Sequence, residues 1–520
     1  MSTRAFDYRR YPQVAGELFR SVQERGLFED CKHFVDAEPR VPAARLRERY
    51  LAARDDPGFD LAAFVERNFR LPDPVAADPD PTRTTMESHV ESLWGPLTRS
   101  FDVDPDATST LVSLPNPHVV PGGRFREMYY WDSYFAAEGL ATIGRVDAVA
   151  GMVENVASLV DRFGFVPLGN RVYYDSRSQL PLFYRMLRIL ERERGFDAVA
   201  PFVDALETEY AFWMDGRERV GRPDGPDSHR RTVSLPDGPV ANRYWDDRTR
   251  PRPESYRQDR ELAAAVPPDD RPQLFRDVRA ACESGWDFSS RWFADDDDRA
   301  TIRTTDIVPV DLNAVLYGVE SALTEWLSRL DRPEAAGRYA DAADRRRRVV
   351  ERYCWDDDRE FYVDYCWADG ERVARPTLAG VVPLFTGAAD PERADAVARR
   401  LREDFLYRGG LVTTLSTTGE QWDAPNGWAP LHWMAAVGLR RYGHDDLAAE
   451  VTDRWLALNR SAFAERGRMA EKYDVQSTAV AADDGEYRLQ YGFGWTNGVV
   501  TALGNGRGAD AAETAPGFGP

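Results

Sequence analysis

Apolar residues recur every three or four positions along most of the chain, a spacing that predicts amphipathic helices. Strand-like alternation is confined to short pieces such as 361–366. Polar loops rich in aromatic residues separate the helices, and this alternation favours an all-α toroid or solenoid over a parallel α/β sheet. The predicted helices are 16–25, 42–54, 61–69, 84–94, 129–142, 146–163, 179–193, 196–214, 257–266, 311–332, 333–353, 391–405, 427–442 and 445–465.

The first 85 residues differ from the rest because their short helices are broken by turns rich in Pro and Asp. We predict a helical N-terminal extension over 1–85 that packs on a main catalytic domain over 86–503. An independent small domain is the alternative for 1–85. Residues 504–520 are rich in Gly, Ala and Pro, which predicts a disordered tail.

Composition restricts the partners that the chain can have. The 520 residues are 43% hydrophobic, enough for one large domain or two ordinary ones. The formal net charge is -20, and the lysines are Lys32 and Lys472 alone. We expect neither nucleic acid nor a membrane as a partner, because phosphate binding needs a basic stripe. An acidic, lysine-poor surface suits high salt, where counter-ions screen its self-repulsion, so we expect a halophilic host.

The cysteines and the N-terminus bear on the cellular compartment. Cys31, Cys282, Cys354 and Cys366 show no Cys-x-x-Cys spacing, so neither a zinc site nor a disulfide framework is predicted. The N-terminus has an Arg pair without an apolar stretch after it, and no apolar run reaches the length of about 18 residues that a membrane helix needs. We therefore predict a cytoplasmic protein with reduced thiols, and we expect a monomer.

The stretch 281–292, ACESGWDFSSRW, carries the first candidate chemistry. Glu283 and Asp287 lie four residues apart there, with a glycine and a tryptophan between them. Gly285 lowers helix propensity by about 1 kcal/mol relative to Ala, which indicates a loop or a helix start. A carboxyl packed against tryptophan has a raised pKa and can act as a proton donor near neutral pH. The plainer alternative makes the aromatic residues part of the core and Asp287 a helix cap.

Six loops repeat one kind of side-chain chemistry, with Arg, Asp, Glu, Asn or Gln beside Trp, Tyr or Phe. Guanidinium and carboxylate groups can bind vicinal sugar hydroxyls, while aromatic rings supply flat apolar faces. Any single loop could be a solvated loop with one core aromatic, and Arg124 with Asp132 could form an ion pair that only holds a loop. Six loops of one kind favour carbohydrate binding. They are 113–135, 170–179, 250–259, 421–430, 469–475 and 485–497.

Two of these stretches resemble the signature motifs of glycoside hydrolase family 37, the inverting trehalases: PGGRFREMYYWDSYF at 121–135 and QWDAPNGWAP at 421–430. Five more are similar to the family's other motifs and follow its order: GNRVYYDSRSQ at 169–179, RPRPESY at 250–256, ESGWDFSSRW at 283–292, EKYDV at 471–475 and GFGWTNGV at 492–499. The resemblance implies an (α/α)6 toroid that hydrolyses the disaccharide α,α-trehalose to two glucoses with inversion. It implies no metal and no organic cofactor.

The resemblance also implies roles for individual residues. Asp287 matches the general acid and Glu471 the general base, and Glu283 and Asp423 are the second candidates for these roles. Inversion requires carboxyls about 6.5–9.5 Å apart. We expect nearby guanidiniums to keep Glu471 ionised and tryptophan to keep Asp287 protonated. The implied substrate-binding residues are Arg124, Phe125, Trp131, Asp132, Asn170, Arg177, Gln179, Arg252, Glu254, Gly285, Trp422 and Glu486.

One motif departs from the family pattern. The chain has PLGNR at 167–171 where the family usually has PNGNR, so Leu168 replaces an amide that is expected to contact sugar. The departure keeps a hydrolase of another α-glucoside on the same fold as an alternative. A sugar-binding protein that has lost activity is a further alternative, but it should lack the acid or the base, and both Asp287 and Glu471 are present.

Overall fold

Helices form most of the regular structure in the computed structural model, which describes residues 6–73, 84–103, 108–221, 227–481, 485–508 and 511. The predicted all-α class is confirmed. The helices are α1 (Glu17–Glu24), α2 (Cys31–Val35), α3 (Ala43–Ala53), α4 (Leu61–Asn68), α5 (Met86–Leu97), α6 (Tyr130–Thr142), α7 (Val146–Phe163), α8 (Phe183–Arg194), α9 (Val203–Trp213), α10 (Tyr256–Leu262), α11 (Arg271–Ser284), α12 (Val310–Arg329), α13 (Pro333–Val349), α14 (Val382–Thr386), α15 (Pro391–Arg400), α16 (Ala429–Arg441), α17 (Asp445–Arg466) and α18 (Gly494–Gly504).

Six helices form a closed inner ring. Helices α6, α8, α12, α14, α16 and α18 each contact the next, and α18 packs back on α6. Helices α5, α7, α9, α13, α15 and α17 alternate with them along the chain as the outer layer. Inner helix α6 is buried all round, whereas outer helix α7 buries one stripe of its surface. This arrangement is the (α/α)6 toroid.

Two glycines allow the close crossing of α6 and α18. A Cβ atom added to Gly139 would lie 2.5 Å from the Cα atom of Gly498. A Cβ atom on Gly498 would lie 2.1 Å from the carbonyl oxygen of Phe135. Only glycine fits at such distances, so this pair sets the spacing between the first and last inner helices.

Short strands tie the loops together at the ends of the helices. They are β1 (Glu38–Pro39), β2 (Phe69–Arg70), β3 (Thr98–Arg99), β4 (His118–Val119), β5 (Ser228–His229), β6 (Thr232–Ser234), β7 (Val240–Asn242), β8 (Ile307–Val308), β9 (Trp355–Asp356), β10 (Phe361–Tyr362), β11 (Tyr365–Cys366), β12 (Glu371–Arg372), β13 (Leu406–Tyr407), β14 (Gly410–Leu411), β15 (Asn426–Trp428), β16 (Lys472–Asp474) and β17 (Ala479–Val480). Strands β15 and β16 pair antiparallel with Trp428 opposite Lys472. Glu471 directly precedes Lys472, whose Nζ donates to Oε1 of Gln421 in the loop that carries Trp422, at 3.1 Å.

The N-terminal helices pack on the toroid. Helix α1 contacts α10, and α2 packs against the turn Pro253–Ser255, which carries Glu254. The division of the chain at residues 85 and 503 stays a prediction. Most of the predicted tail lies outside the described residues, since 509–510 and 512–520 are not among them.

The hydrophobic pattern missed four helices for identifiable reasons, and the first of them, α2, has only 5 residues. Several buried positions of α11 are polar or charged, including Asp277, Arg279 and Glu283, so they hide its apolar face. Helix α14 has only 5 residues and contains a proline near its start. Helix α18 is buried along most of its length and begins and ends with glycine, so no amphipathic period marks it.

Candidate active site

A pocket lies where the N-terminal ends of several inner helices meet. Trp131 and Asp132 reach it from the first turn of α6, and Trp495 reaches it from the first turn of α18. Gln179 reaches it from the loop before α8.

The pocket gathers most of the predicted site residues from distant parts of the chain. Those lining it are Arg124, Phe125, Trp131, Asp132, Arg177, Gln179, Arg252, Glu254, Gly285, Asp287, Trp422 and Glu486. Leu168, which replaces an amide expected to contact sugar, also lines the pocket, as do residues that the sequence did not assign to the site, including Tyr129, Tyr174, Cys282, Tyr487 and Trp495. Asn170 and Glu471 are not among the lining residues.

Asp287 lines the pocket shortly after the end of α11. Desolvation raises the pKa of its carboxyl to about 7. The positive charges of Arg252 and Arg177 oppose that rise, while the negative charge of Glu486 adds to it. A carboxyl with this pKa is protonated in a substantial fraction of molecules at neutral pH, as a proton donor requires.

The backbone around Asp287 is fixed by the loop before α16. The side-chain amide of Gln421 donates a hydrogen bond to the carbonyl oxygen of Asp287. The backbone N–H of Trp422 donates to the carbonyl oxygen of Phe288 at 3.0 Å. These two bonds join the stretch 287–288 to the loop 421–422, so the position of the carboxyl does not depend on one loop alone.

Gly285 ends α11 and admits the ring of Trp131. Its φ of +83° is in the left-handed region that glycine adopts without strain. A Cβ atom at this position would lie 2.8 Å from Cζ2 of Trp131. The sequence predicted a loop or a helix start here, and the structure has a helix end. The reason is that the preceding residues continue α11 up to a glycine cap.

Tryptophans form one continuous wall of the pocket. Trp422 stacks on Trp428 with ring centroids 4.0 Å apart and on Trp286 with centroids 5.4 Å apart. Trp131 lies 5.8 Å from Trp422 and 5.6 Å from Trp495. Trp131, Trp422 and Trp495 face the cavity, where flat apolar surfaces suit the faces of sugar rings.

Glu471 is fully buried next to the pocket. The hydroxyl of Tyr487 donates to its Oε2 at 3.4 Å, and the backbone N–H of Gln490 donates to its Oε1 at 3.3 Å. Burial raises the pKa of Glu471 to about 7, although the charges of Lys472 and Arg124 and the Gln490 N–H oppose the rise. The expectation that guanidiniums keep this carboxyl ionised is therefore met only in part.

Asp132 connects the two carboxyls electrostatically. Burial raises the pKa of Asp132 well above its usual value, and the negative charges of Asp287 and Glu471 raise it further. Asp132 itself lines the pocket. The negative charges of Asp287 and Glu471 therefore both act on a carboxyl that lines the pocket.

Paired guanidiniums and carboxylates form the polar wall. Arg177 pairs with Glu254, and Arg252 donates to Glu486 at 2.8 Å. Arg299 also donates to Glu486, at 2.9 Å, and the two arginines hold the pKa of Glu486 below its usual value although burial opposes them. Nη1 of Arg177 lies 3.5 Å from Oδ2 of Asp246, whereas Nε of Arg177 and Oε2 of Glu254 are buried without a hydrogen-bond partner within the described chain. Such atoms are suited to bind the hydroxyl groups of a ligand.

Arg124 does not pair with Asp132, the loop-holding partner that the sequence allowed. Its Nε and Nη2 atoms donate to the two carboxylate oxygens of Asp30, each at 2.8 Å. Its guanidinium lies over the rings of Phe125 and Tyr487, 5.1 and 4.7 Å from their centroids. The side chain is thus fixed at the pocket wall by contacts on three sides.

Asn170 supports the pocket from behind. Its Oδ1 accepts a hydrogen bond from the backbone N–H of Met128 at 2.8 Å, and its Nδ2 donates to the carbonyl oxygen of Val112 at 2.7 Å. The residue is fully buried, so these backbone groups take up its amide. Gln179 combines both roles, because its Oε1 accepts from the backbone N–H of Trp131 at 3.1 Å and the residue lines the pocket.

Glu283 and Asp423, the second candidates for acid and base, form hydrogen bonds with other protein groups outside the pocket. Glu283 pairs with Arg231 and accepts backbone hydrogen bonds from Ser178 and Trp245, each at 2.8 Å. Asp423 is fully buried and accepts from the hydroxyls of Ser289, Thr414 and Thr418 and from the backbone N–H of Ser290. Neither residue lines the pocket, and each anchors loops around it.

The described residues show no metal site and no membrane-spanning helix, and their cysteines are free thiols. No group of three or more His, Cys, Asp or Glu side chains among the described residues is arranged to hold a metal ion. The described helices include none that is long and apolar enough to cross a membrane. The four cysteines are free and buried, and Cys282 lines the pocket, where Nη1 of Arg252 donates to its sulfur at 3.1 Å.

Comparison with known sequences decides the family. The sequence profile of the trehalase family matches residues 26–504. The chain belongs to the trehalase family. It is 46% identical to a periplasmic trehalase of Pseudomonas aeruginosa over 487 residues, covering 94% of this chain and 88% of that protein. It is 44% identical to a periplasmic trehalase of Xanthomonas oryzae over 507 residues, covering 96% and 88%.

Solved structures agree with the fold of this trehalase-family chain. The neutral trehalase Nth1 of Saccharomyces cerevisiae superposes with a TM-score of 0.61 at 25% identity, covering 83% of this chain and 82% of that one. A GH63 mannosylglycerate hydrolase of Thermus thermophilus gives a TM-score of 0.51 at 19% identity, covering 80% and 99%. The second likeness concerns the fold alone.

The prediction of a cytoplasmic protein is wrong. Relatives that are 44–46% identical over most of the chain are named periplasmic trehalases. Their names point to the periplasm. The prediction rested on the absence of an apolar stretch after the first residues, which is weak evidence beside full-length relatives of this similarity.

Asp30, Arg299 and Tyr487 hold other site residues in place and were not among the predicted site residues. Asp30 and Arg299 lie outside the matched motifs, and their partners Arg124 and Glu486 are more than 90 positions away, so no local pattern connects them. Tyr487 could have been found, because it directly follows Glu486 in a loop already assigned to the site.

Replacing Gly285 by alanine should reduce activity as well as stability. The left-handed backbone costs alanine about 1 kcal/mol, and the added Cβ also displaces Trp131 from the pocket wall. We expect kcat/KM for trehalose to fall at least about tenfold, since misplacing a binding group by about 1 Å can cost up to about 100-fold. Steady-state kinetics and thermal unfolding measure the two effects.

Gly164→Ala is the matched control. Gly164 caps α7 with a φ of +80°, and an added Cβ meets nothing within 4 Å. This variant should lose similar stability and keep the kcat/KM of the unmodified protein. Equal kcat/KM values for the two variants would exclude the contact with Trp131 as the reason for glycine at 285.

Proposed function

We propose that this trehalase-family protein hydrolyses α,α-trehalose to two glucose molecules with inversion, with Asp287 as general acid and Glu471 as general base. The main support is that both carboxyls have pKa values raised to about 7, that Asp287 lines the tryptophan-walled pocket, and that Tyr487, which also lines it, donates to Glu471. Hydrolysis of a glycosidic bond by inversion uses such a pair. Full-length relatives named trehalase support the choice of substrate.

Asp287 supplies the proton that the leaving sugar needs. Its protonated carboxyl donates to the oxygen that bridges the two glucose units, and the bond from that oxygen to the anomeric carbon breaks. Positive charge then develops on the anomeric carbon and its ring oxygen. The departing glucose keeps its α configuration, and Asp287 is left ionised.

Glu471 activates the attacking water from the opposite face of the sugar. Its ionised carboxylate accepts a proton from water as the water oxygen bonds to the anomeric carbon, which gives β-glucose. One proton has then moved from Asp287 to the leaving sugar and one from water to Glu471. Exchange with solvent resets both groups for the next turnover.

The polar wall binds and orients the sugar hydroxyls. Arg177 and Glu254 each carry a buried atom without a hydrogen-bond partner among the described residues, and Arg252 with Glu486 presents a second guanidinium–carboxylate pair. Charge-assisted hydrogen bonds of this kind are stronger than neutral ones and direction-specific. The side-chain amide of Asn170 is hydrogen-bonded to the backbone of Met128 and Val112, so this residue holds the backbone of the pocket wall in place.

Removing either carboxyl should abolish most turnover without unfolding the protein. We expect Asp287→Asn and Glu471→Gln each to lower kcat about 10²–10⁴-fold, the usual contribution of a positioned acid or base. KM should change little, because the polar wall that binds the hydroxyls stays intact. Glucose release and circular dichroism measure the two properties.

Asp297→Asn is the control, because Asp297 is an exposed carboxylate close to Asp287 in sequence. It should retain the kcat of the unmodified protein. A folded Asp287→Asn or Glu471→Gln variant with near-normal kcat would remove that residue from its proposed role.

The pH dependence of kcat/KM should be bell-shaped and centred near neutrality. Activity falls as pH rises through the pKa of Asp287, because the acid loses its proton, and it falls as pH drops through the pKa of Glu471, because the base gains one. Both pKa values are about 7, so the plateau should be narrow and each limb should approach tenfold per pH unit. Rates at constant ionic strength test this shape, and a profile that stays flat across neutrality would contradict it.

Leu168 favours a second candidate, an α-glucoside whose leaving group has fewer hydroxyls than glucose. Its buried, apolar side chain lines the pocket. We expect Leu168→Asn to raise the ratio of kcat/KM on trehalose to that on glucosylglycerol about tenfold, the effect of one added hydrogen bond. The control Leu168→Met should leave the ratio unchanged. If unmodified protein already prefers glucosylglycerol to trehalose, the second candidate replaces the first.

A further inference from the structure

We propose that Asp30, in the N-terminal segment outside the matched motifs, is a positioning residue that aims Arg124 at the pocket. Its two carboxylate oxygens accept from Nε and Nη2 of Arg124, each at 2.8 Å. Bidentate geometry of this kind fixes the direction of a guanidinium as well as its location. The proposal deepens the proposed function and rests on it.

Asp30 is itself held in place by the N-terminal segment. It caps α2, because its Oδ1 accepts from the backbone N–H of Lys32 at 2.9 Å. The ammonium group of Lys32 is buried between the carboxylates of Asp36 and Glu127, at 2.5 and 2.7 Å. Arg126, which lies two residues after Arg124, also pairs with Asp36, at 3.3 Å. Helix α2 is therefore bonded to the same loop that carries Arg124.

The other side of the segment is bonded to the remainder of the pocket wall. Nη1 and Nη2 of Arg257 donate to the carbonyl oxygens of Phe28 and Glu29 at 3.3 and 2.6 Å. Arg257 is the second residue of α10, which directly follows the turn Pro253–Ser255. That turn carries Glu254. The carboxylate of Asp30 thus lies between two anchored elements, which restricts its movement.

Arg124 is the group through which Asp30 reaches the chemistry. Its side chain is 14% exposed and lines the pocket, whereas the side chain of Asp30 is 36% exposed. Its guanidinium lies over the ring of Tyr487, whose hydroxyl donates to Glu471. Backbone contacts place the α-carbon of Arg124, since its N–H donates to Oε1 of Gln490 at 2.8 Å. The direction of the guanidinium is set by Asp30.

Asp30→Ser and Asp30→Glu separate this role from helix capping. Serine caps a helix but has no carboxylate, whereas glutamate keeps the carboxylate and is a poor cap. We expect Asp30→Ser to lower kcat/KM for trehalose about 10–100-fold, since a guanidinium without its charge-assisted pair is misplaced. Asp30→Glu should recover at least tenfold over Asp30→Ser, because it restores a carboxylate at a side chain that is 36% exposed. A capping role alone predicts the opposite order.

A double-mutant cycle with Arg124→Ala tests whether Asp30 acts through Arg124. In the Arg124→Ala background, Asp30→Ser should change kcat/KM less than twofold, because the group that it aims is absent. Glu29→Gln is the control, since Glu29 is the neighbouring acid and pairs with Arg488 on the surface at 2.6 Å. That variant should keep the activity of the unmodified protein.

Three results would overturn the proposal: unmodified kcat/KM in Asp30→Ser, a lower value for Asp30→Glu than for Asp30→Ser, or a full additive loss in the Arg124→Ala background. Thermal unfolding of each variant verifies folding, and the comparison of serine with glutamate remains informative if one variant is less stable. Failure of the proposed function is distinguishable, because the unmodified protein would then release no glucose from trehalose.

Discussion

Desolvation of charged groups is the constraint on which the rest of this site depends. Taking an ionised carboxylate out of water costs several kcal/mol unless other charges or hydrogen bonds compensate it. In the pocket wall, Glu254 and Glu486 have arginine partners, and the pKa of Glu486 lies below its usual value. Asp287 and Glu471 instead have pKa values raised to about 7. The same closed environment therefore yields groups that only bind and groups that can exchange protons.

Such an environment needs a scaffold that brings distant loops together and keeps them still. The closed ring of inner helices does this, and the crossing at Gly139 and Gly498 fixes the spacing where its first and last members meet. Gly285 then lets Trp131 approach the end of α11, so the aromatic wall and the loop of Asp287 share one contact. Small residues at close crossings thus control the position of the large groups that face the substrate.

Sequence alone predicted the fold class and most of the pocket, because motifs mark loops in which side-chain types are informative. It could not show direction: Asn170 stands in such a loop, yet backbone groups behind the pocket take up its amide. It also could not show which charges are already paired. Nearby guanidiniums were expected to keep Glu471 ionised, but Arg124 is paired with Asp30, about 90 positions earlier, and burial outweighs its charge in setting the pKa of Glu471.

The configuration of the first glucose released tests the central claim most directly. Proton NMR of the purified protein with α,α-trehalose in molar KCl follows the anomeric signals before mutarotation mixes them. We expect equal initial amounts of α- and β-glucose, because the attacked unit inverts while the departing unit keeps its configuration. Initial release of α-glucose alone would indicate retention and contradict the assignment of Asp287 and Glu471 as the acid and base of an inverting pair.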